Sequence, residues 1–292
     1  MPTLAINPYV RDSEGIYVSQ QTIQQRLDEY DDTGIDQLLD MQTRHFWYRG
    51  RHAFLLKHFL RLVRNYILNL SETRIVDMGG GCGGWVRYLA SKFKVDVREL
   101  SLADSSRRAL KLSYEHGVVS PDISRYQIDL MDLHWSNYWD FSFLLDVLEH
   151  VPDHVGAMRQ VANATRPGGM IFVATPALKF FWSHNDELVH HVRRYSKDDM
   201  QKLAIESELE LVDSRYFMFL LSPLLWLTRF RRPPIENMSA DEIRQFQANT
   251  HRVPAAPVNA MLTGVFKCEV AMSNWVRYPY GTSIFAAFRK RG

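Results

Sequence analysis

From Gln20 to about Leu70, charged positions are interleaved with recurring apolar ones, including Ile23, Leu27, Leu38, Leu39, Leu55 and Phe59, with few Gly or Pro breakers. That spacing predicts helices. At Arg74-Ile75-Val76-Asp77-Met78 the pattern changes to a short β-branched run ending in Gly79-Gly80-Gly81-Cys82-Gly83-Gly84, which reads as a strand entering a glycine loop. Helical spacing returns at Trp85, Val86, Leu89 and Phe93, and a second extended run, Leu100-Ser101-Leu102-Ala103, stops at Asp104 to complete a βαβ unit. The alternation continues with a helix from about Ser106 to His116, a strand near Tyr126-Gln127-Ile128-Asp129 and the apolar run Phe141-Ser142-Phe143-Leu144-Leu145. Val155, Met158 and Val161 mark another helix. Arg166-Pro167-Gly168-Gly169 ends it before the strand Met170-Ile171-Phe172-Val173-Ala174, because proline lacks an amide donor and glycine accepts positive φ. A helix from Lys197 to Glu206 follows, then two β-like runs, Leu209-Glu210-Leu211-Val212 and Ser283 to Phe288.

Strands alternating with helices predict a doubly wound α/β sheet with mostly parallel strands. The long connection between the last two runs exceeds what a structureless loop carries, so it reads as a helical lid insertion. The expected organisation is a helical cover over 1–70, a Rossmann-like core over 71–217, the lid over 218–281, and a last core strand with the C-terminus over 282–292. Cover and lid would close over the carboxyl ends of the strands, where open α/β sheets bind ligands.

Composition narrows the function. In 292 residues, 35 basic and 33 acidic side chains leave a formal charge of +2, so no global field points to nucleic acid. Cys82 and Cys268 alone give no disulfide framework, and Met1-Pro2-Thr3-Leu4 does not open a secretory signal, so a cytoplasmic protein is expected. The apolar stretch Tyr216 to Phe230 falls short of a membrane span of about 20 residues. With Arg229, Arg231 and Arg232 at its end it reads as a packed lid helix, contact with a membrane surface being the other possibility.

The glycine loop satisfies G-x-G-x-x-G and does not by itself name a ligand. Asp77, two residues before the first glycine, would repel a pyrophosphate but suits a ligand with cationic centres. Asp104, 20 residues after Gly84, is placed to accept from both hydroxyls of a ribose, with capping of the next helix as its other reading and Ser105 as an alternative cap. Val76-Asp77-Met78-Gly79-Gly80-Gly81-Cys82-Gly83, Asp104, Asp129-Leu130 and Leu145-Asp146-Val147-Leu148-Glu149-His150-Val151, in that order, resemble the class I S-adenosylmethionine-dependent methyltransferases. The resemblance implies a seven-stranded, mostly parallel sheet with a reversed last strand, and S-adenosylmethionine as cofactor. It implies that Gly79, Gly81 and Gly83 line the methionine and ribose, that Asp104 holds the ribose, and that Asp129 and Leu130 border adenine. Tyr48 and Arg51, from the segment His45-Phe46-Trp47-Tyr48-Arg49-Gly50-Arg51, are expected beside the cofactor carboxylate. Asp77, Ser105 and Asp146 complete the expected cofactor set.

Methyl transfer displaces a neutral thioether in line, so positioning and exclusion of water carry much of the catalysis, and a hydroxyl or amine acceptor also loses a proton. His150, after the fourth core strand, is the candidate base, an orienting role being the alternative. His184, His190, His191 and Tyr195, from the histidine-rich stretch after the fifth, are expected to meet the substrate. His184, Asp186, His190 and His191 are chemically able to bind metal, but their spacing argues against it, and no metal is expected. The expected activity is methylation of an O, N, C or S atom on a small molecule, such as a specialised metabolite or lipid-linked compound. The alternatives are a nicotinamide-dependent oxidoreductase, which leaves Asp77 and Glu149-His150 without a role, and a non-catalytic S-adenosylmethionine-binding partner protein. The acceptor and the oligomeric state stay open.

Overall fold

The computed structural model describes residues 7–19, 35–66, 71–92, 97–230, 239, 242 and 252–292. Its strands are β1 (Val10–Arg11), β2 (Ile16–Val18), β3 (Arg74–Met78), β4 (Glu99–Asp104), β5 (Ser124–Gln127), β6 (Trp139–Leu145), β7 (Thr165–Pro176), β8 (Leu209–Phe217) and β9 (Ser283–Lys290). Its helices are α1 (Ile35–Arg44), α2 (Phe46–Tyr66), α3 (Gly84–Lys92), α4 (Arg107–Glu115), α5 (His154–Ala164), α6 (His184–Leu188), α7 (Lys197–Glu206), α8 (Ser222–Phe230) and α9 (Ala256–Met272).

The strands form one sheet in the order β1-β2-β5-β4-β3-β6-β7-β9-β8. The pairs from β5 through β7 are parallel, while β9 runs antiparallel to both β7 and β8, which is the expected reversed last strand. All of β6 is buried, and its alternate side chains go to opposite faces as strand geometry requires. Phe141, Phe143 and Leu145 join the cluster containing Phe54, Phe59 and Leu62 of α2, whereas Leu144 joins the one containing Met158 and Val161 of α5 and Leu203 of α7. Helices therefore cover both faces, which explains why the central strands read as unbroken apolar runs.

The sheet has nine strands where seven were expected. The additional pair, β1 and β2, is a small hairpin that adds to β5, so the 1–70 segment is not helical throughout. Asp12 makes the turn: its carboxylate accepts from the amides of Glu14 and Ile16, both at 2.9 Å, and Gly15 takes φ +74°. Residues 20–34 and 67–70 of the predicted helical run, and Arg231 and Arg232, lie outside the described residues. The apolar stretch Tyr216 to Phe230 is not one helix. Tyr216 and Phe217 end β8, which extends well past Val212, and α8 starts only at Ser222. Ser106, not Ser105, caps α4, its hydroxyl accepting from the Ala109 amide at 3.2 Å.

Candidate active site

Loops leaving the carboxyl ends of β3, β4, β5, β6 and β7 enclose a cavity of about 840 Å³, roofed by α1, the start of α2, α8 and α9. At one end lies the glycine loop. Gly79 takes φ +75°, and a Cβ there would lie 2.6 Å from Val147 Cγ2, so the strand can turn closely only with glycine. The Gly79 and Gly80 amides donate to the Ala103 carbonyl at 2.8 and 3.2 Å. Gly81 donates to one Asp104 oxygen at 2.7 Å, and the other accepts from the Ser106 amide at 2.9 Å. Asp104 thus ties the loop to the start of α4 while its carboxylate edges the cavity with Ser105, Asp129 and Leu130. Gly83 is buried behind the loop and does not line the cavity.

Asp77 lies beneath the loop, 2% exposed, with Oδ1 lacking a hydrogen-bond partner among the described residues. Burial pushes its pKa up to about 7; the Arg51 charge opposes this, and Asp104 and Asp146 add to it. Arg51 reaches in from α2, forms an ion pair with Asp146, and holds its guanidinium 4.6 Å from the Trp47 ring and 4.9 Å from Tyr48. Asp146 sits just past β6 at φ +59°, a left-handed conformation that costs an aspartate of order 1 kcal/mol and turns the chain toward the cavity. Gln42 of α1 completes this end. Its Oε1 accepts from the Gly84 amide at 3.0 Å and its Nε2 donates to the Gly80 carbonyl at 3.4 Å, gripping the loop and the start of α3. No sequence motif marked Gln42, because its partners lie about 40 residues away.

At the other end, Glu149, His150 and His191 face the cavity together. The His150 and His191 rings are 4.7 Å apart, and His191 Nε2 is 3.9 Å from Glu149 Oε1. Burial, helped by His191 and His190, lowers the His150 pKa to about 3, so the ring is neutral at physiological pH and a weak proton acceptor. His191 Nδ1 meets Asp186 Oδ1 at 2.9 Å, and Arg194 clamps both oxygens of that carboxylate at 2.8 and 3.0 Å. Burial alone would raise Asp186, but the bonds from His191 and Arg194 outweigh it and hold the carboxyl well below its usual range.

Three expected substrate contacts lie elsewhere. His184 faces Glu187 at 3.3 Å outside the cavity, and His190 is exposed at φ +58°. Tyr195 is packed in the core, its hydroxyl bonded to the Leu148 carbonyl at 3.2 Å and to His154 Nδ1 at 2.9 Å. Between the two ends, Met218, Leu224, Leu225, Val258 and Leu262 give the cavity an apolar wall.

The methyltransferase domain family profile matches residues 45–213, more than half of the chain. The chain belongs to this family. Its fold is that of the class I methyltransferases, whose cofactor is S-adenosylmethionine. The ubiquinone biosynthesis O-methyltransferase of Nitrosomonas europaea is 26% identical over 139 residues, 46% of this chain and 59% of that enzyme. The chain spans about half the length of the curated relatives it matches. Among solved structures, the complex of the Haloferax volcanii Trm112 methyltransferase activator with a candidate methyltransferase superposes with a TM-score of 0.56 at 14% identity, covering 89% of this chain and 96% of that one. Haemonchus contortus phosphoethanolamine N-methyltransferase 2, in complex with S-adenosyl-L-methionine, gives 0.53 at 17% identity, covering 90% and 58%. At these identities the likeness establishes the fold alone. The methyltransferase domain places its glycine loop, acidic strand ends and Glu149-His150 segment on one rim, with no described helix long and apolar enough to cross a membrane.

Proposed function

We propose that this chain transfers the methyl group of S-adenosylmethionine to a small amphiphilic acceptor. The observation that carries the reading is the charge pattern at the glycine-loop end: a buried Asp77 with an unpartnered oxygen, alongside Asp104 and Asp129. A dinucleotide pyrophosphate would meet repulsion there, whereas the ammonium and sulfonium of S-adenosylmethionine gain from the same carboxylates. The backbone of Gly79 and Gly81 gives the methionine portion close approach, Asp104 accepts from the ribose hydroxyls, and Asp129 and Leu130 border adenine. Arg51, steadied by Tyr48, pairs with the cofactor carboxylate in exchange for Asp146.

The bound cofactor supplies an electrophilic methyl group. The chain's own residues do the rest: the Glu149, His150 and His191 face orients the acceptor atom, and the lid excludes water. The apolar wall from Met218 to Leu262 suits an acceptor whose polar head reaches that face while its apolar part stays under α8 and α9. The relatives named as ubiquinone biosynthesis O-methyltransferases favour a hydroxyl on a lipid-linked ring. A cytoplasmic location fits Cys82 and Cys268, which form no disulfide.

Titration calorimetry should detect S-adenosylmethionine and its demethylated product but not NADH, and Asp104→Ala should weaken binding by at least about tenfold, a hydrogen bond to a charged acceptor being worth about 1.5–3 kcal/mol. Incubation with methyl-labelled S-adenosylmethionine and prenylated phenols should then label the phenol. NADH binding in place of S-adenosylmethionine would overturn the cofactor assignment. Cofactor binding with no transfer to any fractionated metabolite pool would favour a non-catalytic partner.

A further inference from the structure

Glu149 is hard to account for as a structural residue. Its side chain is completely buried, yet neither carboxylate oxygen has a hydrogen-bond partner among the described residues. An unsatisfied buried carboxylate is costly, and its persistence points to a partner absent from the protein chain. The surroundings indicate a cation. Glu149, His150 and His191 each present one ligand atom, and these atoms lie within 4.8 Å of one another at the cavity wall. The Asp146 carboxylate adds negative potential at Glu149, partly offset by Arg51 and Arg194.

We propose that Glu149, His150 and His191 form a binding site for one divalent first-row transition metal ion, with its remaining coordination positions open to the cavity. Two imidazoles and one carboxylate are a recurrent donor set for zinc and other first-row divalent ions. The support behind the ligands is built in the same way. Asp186 Oδ1 takes the Nδ1 proton of His191 and directs Nε2 at the cluster, and Arg194 holds Asp186 from behind with two hydrogen bonds. Metal–ligand bonds of about 2.1 Å place the ligand atoms of a tetrahedral site about 3.4 Å apart. Atoms that now lie within 4.8 Å of one another must therefore close by up to about 1.4 Å when the ion binds, through rotation of the three side chains.

Such an ion explains why the histidine-rich stretch looked unpromising by itself. Only His191 of that stretch contributes, and its partners come from the loop after β6. With methyl transfer as the activity, an acceptor hydroxyl on the open positions would release its proton to solvent more readily and be held toward the cofactor end. That role rests on the methyltransferase reading, but binding of the ion does not.

The test uses the untagged full chain, stripped with a chelator and desalted. Calorimetric titration with zinc chloride and with manganese chloride should show one site per chain for at least one of them. Cobalt chloride should give a visible d–d absorption band. Glu149→Gln and His191→Ala should each weaken binding at least tenfold, while His184→Ala, outside the cavity, should leave it unchanged; far-UV circular dichroism and melting check that each variant folds. X-ray absorption on the wild-type ion complex keeps the test decisive if a variant unfolds, since imidazole scattering from two histidines is required. No stoichiometric ion in the wild type, unchanged affinity in folded E149Q and H191A, or a bound ion without imidazole ligands would each overturn the site. Ion binding without any methyl transfer would leave it standing and count against the enzymatic reading alone.

Discussion

Asp77 pairs in register with Leu102 across β3 and β4, and its side chain is buried beneath the glycine loop. Arg51 from α2, Asp104 at the end of β4 and Asp146 at the end of β6 face it, and burial raises its pKa from 3.8 to about 7. The folded state therefore holds the proton more tightly than the unfolded chain. Stability from this group is complete below pH 3.8 and is lost as pH rises through about 7. A cationic cofactor reverses the preference by favouring the carboxylate. Affinity for S-adenosylmethionine should accordingly rise between pH 6 and pH 8 in calorimetry, and Asp77→Asn should bind more weakly and flatten that slope. An Asp77→Asn protein with the wild-type pH profile would remove Asp77 from the cofactor's charge environment.

Among the elements, α2 is the pivot, because it meets the sheet through Phe54 and Phe59 and meets α9 through Gly50. A Cβ at Gly50 would lie 1.9 Å from Phe266 Cδ1, and Phe266 is fully buried with its ring 6.3 Å from that of Phe217. Gly50→Ala should destabilise the protein by about 1–3 kcal/mol through overpacking, read as a lower melting temperature. Gly264→Ala, also helical but with open space around the new methyl, should be neutral or slightly stabilising. Equal melting shifts for the two would show that α2 and α9 do not depend on that close approach. Helix α8 differs from the packed helix its composition suggested: Leu224, Trp226 and Leu227 are each at least 40% exposed. Among the described side chains of α8, Leu224 and Leu225 line the cavity, so α8 covers the site while much of its apolar surface stays exposed.

At the scale of the whole molecule, this exposure makes α8 the part of the roof expected to open most readily. Bound cofactor and acceptor should slow amide exchange in α8 and α9 as well as in the glycine loop. Cofactor alone should protect α1, because Gln42 joins that helix to Gly80 and Gly84. Protection limited to the strands and the glycine loop would show that neither segment closes over the site.

Local pattern determined much of this protein. Apolar runs of strand length, helical spacing between them and a glycine loop at a strand end fix the α/β alternation, since each is set by side chains two to four positions apart. That Asp77 and Asp104 lie beside the cavity was legible for the same reason, each standing at the end of a strand, whereas Asp129 was marked by the family resemblance. The hairpin of β1 and β2 was missed although Asp12 and Gly15 announce its turn, because strands of two and three residues carry too little periodicity to register. Tertiary structure alone decided the rest. Gln42 reaches the glycine loop from another helix, Tyr195 turns into the core while His191 turns to the cavity, and Glu149 meets His191 across 42 residues of chain. Those outcomes depend on which loops the sheet order brings to one rim, information carried by strand pairing over long sequence separations rather than by neighbours in the sequence.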